Sequence, residues 1–186
     1  MNKKILVLID CQNDFIDGSL ANPEAQKKVK NIVKKIDEFD GDAIIYTLDT
    51  HDENYLESAE GKKLPVTHCV KYTDGWNLND DIANAITRAV AREITVVDIQ
   101  KPTFGSFDVP VEVKKIVGND EADVEFVGFC TDICVVSNAL ILKAAAYEGV
   151  NITIDASCCA GVTVEKHRAA LETMKSCQIN VVNENE

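Results

Sequence analysis

Six short apolar runs alternate with helical patterns along this chain, and that alternation restricts its fold more than any other feature. The runs fall at residues 5–9, 43–48, 94–99, 124–129, 151–155 and 179–182. They are rich in Val and Ile and apolar on both faces, as strands of a parallel sheet covered on each side by helices are. Between them lie helical patterns at residues 23–39, 80–92, 111–117, 132–147 and 163–177. In the first of these, Val29, Ile32, Val33 and Ile36 share one face, Asn22 offers a cap, and Gly149 supplies a stop signal for the fourth. The expectation is an α/β three-layer sandwich, with a six-stranded, mainly parallel sheet between helical layers. At 186 residues, with no repeat, low-complexity tract or linker, the chain reads as one domain over 1–186.

A formal net charge of −12 argues against nucleic acid or an anionic membrane as partner, since both select basic surfaces. The longest apolar runs are strand length, too short to span a bilayer. The N-terminal Met1-Asn2-Lys3-Lys4 leads straight into a strand, without the apolar stretch and cleavage site of a signal peptide. Seven cysteines, an odd number without a framework spacing, point to reduced thiols in a cytoplasmic protein.

In a doubly wound sheet, ligands bind beyond the carboxyl ends of the strands. Asp10, Asp49, Lys101 and Cys134 all fall at or just after predicted strand ends. The segment Gly128-Phe129-Cys130-Thr131-Asp132-Ile133-Cys134-Val135 is the most informative of these junctions, because a strand stops there and a helix begins at once. Cys134 would sit in that helix's first turn, where the dipole favours a thiolate. Asp10, in Asp10-Cys11-Gln12-Asn13-Asp14-Phe15, could exchange a proton with a thiol and a leaving amine. By itself it could equally cap a turn. Lys101, followed by Pro102 and Phe104, would favour a thiolate beside it, although a lone lysine is more often a surface residue. Buried inert thiols are common, so Cys11, Cys69, Cys158, Cys159 and Cys177 dilute the claim of any one cysteine, and Cys130 with Cys134 suggests a redox pair at an unusual spacing.

The stretch 51–78 is too long for a simple connection. It holds His51 and His68, and Asp49 precedes it; imidazoles and a carboxylate suit zinc, manganese or iron. Glu57 and Glu60 are further candidates. The third histidine, His167, reads as a solvated helix residue. No phosphate-binding glycine loop, Gly-X-Ser-X-Gly elbow or zinc-finger spacing is present.

Together these segments resemble the isochorismatase-like cysteine hydrolases, and within them the nicotinamidase/pyrazinamidase branch. The likeness runs from Leu6-Val7-Leu8-Ile9-Asp10-Cys11-Gln12-Asn13-Asp14-Phe15 through Thr47-Leu48-Asp49-Thr50-His51 and His68-Cys69-Val70 to Lys101 and Phe104. It continues in the Cys130–Cys134 segment and in Asp155-Ala156-Ser157-Cys158-Cys159-Ala160-Gly161-Val162. The resemblance implies an isochorismatase-like fold, with Cys134 as nucleophile, Asp10 as general base and acid, and Lys101 as their cationic partner. It implies a cis peptide before Cys130, which aims the backbone N–H groups of Cys130 and Cys134 at one point as an oxyanion hole. It makes Asp49, His51 and His68 ligands of a divalent zinc, manganese or iron ion that orients a pyridine nitrogen, with Glu60 preferred to Glu57 as the further ligand. Phe15 matches an aromatic that packs on the substrate ring. An aromatic usual before the last histidine is replaced around Leu64 and Pro65, and Trp76 or Phe104 is available instead.

The implied activity is metal-dependent hydrolysis of nicotinamide to nicotinate and ammonia through a thioester, in cytoplasmic NAD salvage. The partner is a small-molecule amide, and a homo-oligomer is left open. A relative acting on a ureido or carbamoyl amide is the alternative, and such relatives generally lack the Asp-X-His…His set. A binding or redox-sensing protein is a third reading, against which Asp10, Lys101 and Cys134 all count.

Overall fold

The computed structural model describes residues 2–145 and 149–185. Its six strands are β1 (Asn2–Ile9), β2 (Ala43–Asp49), β3 (Thr95–Lys101), β4 (Glu121–Phe129), β5 (Val150–Ala160) and β6 (Asn180–Val182). Its α-helices are α1 (Asn13–Ile16), α2 (Pro23–Glu38), α3 (Asp80–Ala91), α4 (Asp108–Val117), α5 (Val136–Ala145) and α6 (Val164–Ser176). The strands form one sheet in the order β3-β2-β1-β4-β5-β6, and every pairing is parallel.

The period-2 geometry of a strand divides the core. Ile5, Val7 and Ile9 of β1 face Val109 and Val113 of α4, Leu142 of α5 and Leu171 and Met174 of α6. Leu6 and Leu8 face Phe15 of α1, Val29, Ile32 and Ile36 of α2, and Ile82 and Ile86 of α3. Both faces of β1 are therefore dry from Ile5 to Ile9, which matches the unbroken apolar sequence there. Each such buried side chain contributes about 1.5–3 kcal/mol relative to exposure. The α2 start matches its sequence signals: Asn22 accepts from Glu24 N–H at 3.0 Å, and Pro23 occupies the first turn.

Several elements differ from the periodicity: α1 is not announced by it, and β1 and β4 each begin three residues before the expected 5 and 124. β5 runs on to Ala160, five residues beyond the expected end at 155. A register shift between Phe126 and Gly128 lets Cys159 and Ala160 pair with Gly128 and Phe129, and Asp155 breaks the apolar run that would have announced it. The helical pattern at 132–147 opens instead as a π-turn, Thr131–Val135, before α5. Its expected end at Tyr147 lies outside the described residues. The pattern at 111–117 starts three residues early, because Pro110 is tolerated in a first turn.

The strand order reverses between β1 and β4: β2 and β3 lie to one side, β5 and β6 to the other. The crevice above this junction is where an open α/β sheet binds ligands. Asp10 follows β1 there, and the π-turn carrying Cys134 follows β4.

Candidate active site

Asp10, Lys101 and Cys134 converge above the switch point. Lys101 Nζ lies 2.6 Å from Asp10 Oδ2 and 3.6 Å from Cys134 Sγ. It also donates to the Thr103 carbonyl at 3.1 Å. Asp10 and Lys101 are fully buried, and Cys134 is 4% exposed. β3 is two strands away from β1, so the lysine reaches Asp10 across the end of β2. Asp49, its register partner on β2, lies beneath with Oδ1 at 3.4 Å from Nζ.

Asp10 has a left-handed backbone conformation, φ 46°, which turns the chain out of β1. Thr47 of β2 holds it there: its hydroxyl donates to Asp10 Oδ1 at 2.6 Å and accepts from Asp10 N–H at 3.1 Å. Oδ2 receives no aligned hydrogen bond and faces the lysine as an ion pair, which leaves it a lone pair for a proton. Burial raises the Asp10 pKa, and Lys101 opposes that rise. Burial tends to deprotonate Lys101, but Asp10, Cys134 and Asp49 outweigh it and keep the ammonium charged.

The thiol departs from expectation. A helix N-terminus was expected to favour the Cys134 thiolate, yet burial and then Asp10 push its pKa well up, with Lys101 pulling the other way. Burial of the sulfur outweighs the pull of Lys101.

The peptide bond Phe129–Cys130 is cis. After it, the Cys130 carbonyl accepts from Ile133 and Val135 N–H, both at 3.1 Å, closing the π-turn around Cys134. Asn138 on α5 is wholly buried and joins two segments: its amide donates to the Cys134 carbonyl at 2.8 Å and the Phe104 carbonyl at 3.1 Å, and accepts from Ser106 N–H at 3.0 Å. The residue types gave no hint of this link.

A second cluster adjoins the first through Asp49. Asp49 Oδ2 lies 3.0 Å from His51 Nε2 and 3.4 Å from His68 Nε2. Glu60 Oε1 stands 3.8 Å and 3.7 Å from the same two nitrogens, whereas Glu57 is exposed. One ligand atom each from Asp49, His51 and His68 falls within a 4.8 Å span. The donor chemistry fits a divalent transition ion: two imidazoles with convergent Nε2 atoms and carboxylates beside them. His68 Nδ1 donates to the Val66 carbonyl at 2.8 Å, which leaves Nε2 with a free lone pair, as an orienting bond behind a metal ligand does. Tyr55 packs its ring against both histidines at 4.6 and 4.8 Å and donates to the Leu64 carbonyl at 3.0 Å.

The loop holding these groups is anchored by residues whose roles were not foreseen. Gln12 donates to the Asp49 carbonyl at 2.9 Å and the Trp76 carbonyl at 2.8 Å, and accepts from Asp49 N–H at 2.7 Å. Asp14 accepts from Cys69 N–H at 2.7 Å and Ser19 N–H at 2.9 Å. Their presence in the Asp10–Phe15 segment was the available signal.

A cavity of about 370 Å³ opens over Cys134 and is lined by both aromatics expected there, Phe15 and Phe104. Phe15 is buried and meets His68 edge-on, with centroids 5.7 Å apart. Leu64, Glu60, Asp49 and His68 also line it. Trp76 does not: it meets Tyr72 edge-on and donates to Thr50 Oγ1, so Phe104 and Leu64 occupy the wall considered for it. All seven cysteines are unpaired. His167, expected to be merely solvated, is half-buried with its Nδ1 at 2.8 Å from Thr131 Oγ1.

A family model described as the isochorismatase domain matches residues 4–186. A Bacillus subtilis protein described as the uncharacterized isochorismatase family protein PncA is 29% identical over 174 residues, spanning 91% of this chain and 92% of its own. The crystal structure of nicotinamidase/pyrazinamidase PncA from Bacillus subtilis superposes with TM-score 0.83 at 25% identity, over 97% of this chain and 100% of that one. The zinc complex of Pyrococcus horikoshii pyrazinamidase does so with TM-score 0.75 at 25% identity, over 97% and 99% of the two chains.

Proposed function

The chain belongs to the isochorismatase family, and on that premise we propose that it is a metal-dependent amidohydrolase converting nicotinamide to nicotinate and ammonia through a thioester on Cys134. One observation carries this reading: the Lys101–Asp10–Cys134 cluster and the Asp49–His51–His68 cluster meet where Asp49 contacts Lys101, and both border one cavity. An amide carbon above Cys134 then has a ring-binding wall and a set of metal donors within the same space. The similarity to structures described as nicotinamidase and pyrazinamidase supports the same assignment.

The reaction begins with proton transfer from Cys134 Sγ to Asp10 Oδ2, the oxygen that pairs with Lys101. Lys101, close to both, stabilises the charge as it moves from carboxylate to sulfur. The thiolate attacks the amide carbon, and the developing oxyanion is held by the backbone N–H groups of Cys130 and Cys134. Asp10 returns the proton to nitrogen, the C–N bond breaks and ammonia leaves. Water then adds to the thioester with Asp10 as base, the C–S bond breaks, and the thiol and nicotinate are released. Asp49, His51, His68 and Glu60 are the residues that would hold the ion. A bound zinc, manganese or iron supplies a Lewis-acidic anchor for a ring nitrogen. Phe15 and Phe104 flank the ring.

Such an enzyme serves nicotinamide salvage toward NAD, and unpaired thiols suit a reducing cytoplasm. Among the described residues no helix is long and apolar enough to cross a membrane. The whole chain acts as one domain in this reading, whether as a monomer or a homo-oligomer.

The test is ammonia release from nicotinamide by chelated protein given back zinc, manganese or iron, beside Cys134→Ala and His51→Ala. Metal-dependent turnover absent from both variants is expected. A folded wild type inactive with every metal would move the assignment to a ureido or carbamoyl amide.

A further inference from the structure

The turn that carries Cys134 is held from behind by the β5–α6 connection. Thr131 is wholly buried, and among the described residues its hydroxyl bonds only to His167 Nδ1 of α6, at 2.8 Å. One residue on, Asp132 Oδ1 accepts from Val162 N–H at 2.9 Å. The two segments approach so closely at Gly161 that a Cβ there would lie 2.8 Å from both Asp132 Oδ1 and His167 N. Thr163 caps α6 by accepting from Lys166 N–H at 3.2 Å, which fixes the helix turn presenting His167.

His167 does not border the cavity over Cys134. It lines a separate one of about 470 Å³, between α2 and α6, with Glu24, Lys28 and Arg168 among the walls. Burial, then Lys28, lower its pKa, so it is neutral near pH 7 and Nδ1 can accept the Thr131 proton. A buried hydroxyl deprived of its partner would have to turn elsewhere, and the turn would move with it.

We propose that His167 is a positioning residue for the hydrolysis: through the Thr131 hydroxyl it holds turn 130–135 in the register that aligns Cys134 and the Cys130 N–H. This rests on Cys134 being the nucleophile. Displacement of a reacting group by a fraction of its working distance slows chemistry far more than it weakens binding.

The experiment compares metal-loaded wild type with His167→Ala, His167→Asn, His167→Gln, Thr131→Val and the His167→Ala/Thr131→Val double variant. It reads kcat and KM for nicotinamide, thermal midpoint, and the rate of Cys134 alkylation by iodoacetamide mapped by mass spectrometry. For His167→Ala, kcat should fall about 10- to 100-fold with KM within about twofold, and alkylation of Cys134 should slow several-fold. Asparagine, whose amide stands where Nδ1 stands, should restore most of both rates, and glutamine should not. Thr131→Val should reproduce the alanine defect, and the double variant should be no worse than either single one. Wild-type kcat and alkylation in folded His167→Ala would overturn the proposal, as would additive defects in the double variant. If alanine does not fold, equal rates for asparagine and glutamine would overturn it. Alkylation needs no substrate, so dependence on His167 in a protein inert toward nicotinamide would uphold the positioning role and refute only the substrate assignment.

Discussion

Lys101 Nζ lies 2.6 Å from Asp10 Oδ2, with both side chains wholly buried. A buried pair is fragile in one particular way: losing one partner strands the other charge, at about 3–5 kcal/mol. Lys101→Met should therefore destabilise the fold by about that amount and abolish turnover. Asp10→Asn, which removes the proposed base but keeps its shape, should lower kcat by about 10²–10⁴-fold. The double variant should be more stable than Lys101→Met alone. Urea unfolding and ammonia release read both effects, and a Lys101→Met protein as stable as wild type would refute the coupling.

Gly128 has φ +119°, and a Cβ on it would fall 2.1 Å from the Ile9 carbonyl oxygen, one residue before Asp10. Gly128→Ala should lose about 1–3 kcal/mol from backbone strain alone, with more from the clash, and should lose activity by shifting Asp10. Gly118→Ala also meets a positive φ, +63°, but has nothing within 4 Å. With ψ at −113° it lies outside the left-handed helical region, so the change should cost about 1–3 kcal/mol of strain and leave kcat unchanged. Equal damage from the two, measured by thermal melts and turnover, would contradict the close approach of β1 and β4.

Glu60 Oε1 stands 3.8 Å and 3.7 Å from the two histidine Nε2 atoms, while Glu57 is exposed. Glu60→Ala should weaken metal binding by about tenfold or more in a chelator competition, and Glu57→Ala should leave it unchanged. The reverse order would reassign the carboxylate.

Lys35 Nζ lies 2.6 Å from Asp155 Oδ2 and 2.9 Å from Glu125 Oε1. Burial raises the Asp155 pKa, but Lys35 and Ser157 outweigh it, so the net shift is below the ordinary 3.8. A depressed carboxylate contributes stability above its unfolded pKa and loses it as pH falls through the folded one. Lys35 is shifted upward from 10.5, so its contribution persists until strongly alkaline pH. Asp155→Asn should be less stable than wild type near neutrality, and that difference should shrink below about pH 4. Urea midpoints against pH give the comparison; a gap that is constant down to pH 2 would remove the ion pair as its cause.

Much of the fold and part of the site were legible because they rest on local rules. Ile5 to Ile9 declare a doubly covered strand by being apolar without interruption. Asp10, Asp49, Lys101 and Cys134 stand out because charged or nucleophilic residues end such runs, and strand ends in a parallel sheet meet at one edge. The apolar run of β5 is broken by Asp155, and only pairing with β4 beyond its irregularity carries the strand on to Ala160.

Sequence alone determined the alternation of strands and helices and which charged, thiol and imidazole groups stand at the strand ends, since periodicity and residue type suffice for each. Tertiary structure alone decided that Thr47 braces Asp10, that Gln12 grips Asp49, that Asn138 joins Cys134 to Phe104, and that His167 reaches Thr131. It also decided that burial pushes the Cys134 pKa up, against the helix start that favours a thiolate. The physical reason is common to all of these. Hydrogen bonds and desolvation are set by neighbours brought together across the sheet, and no short stretch of chain specifies which distant group arrives or how much water it displaces.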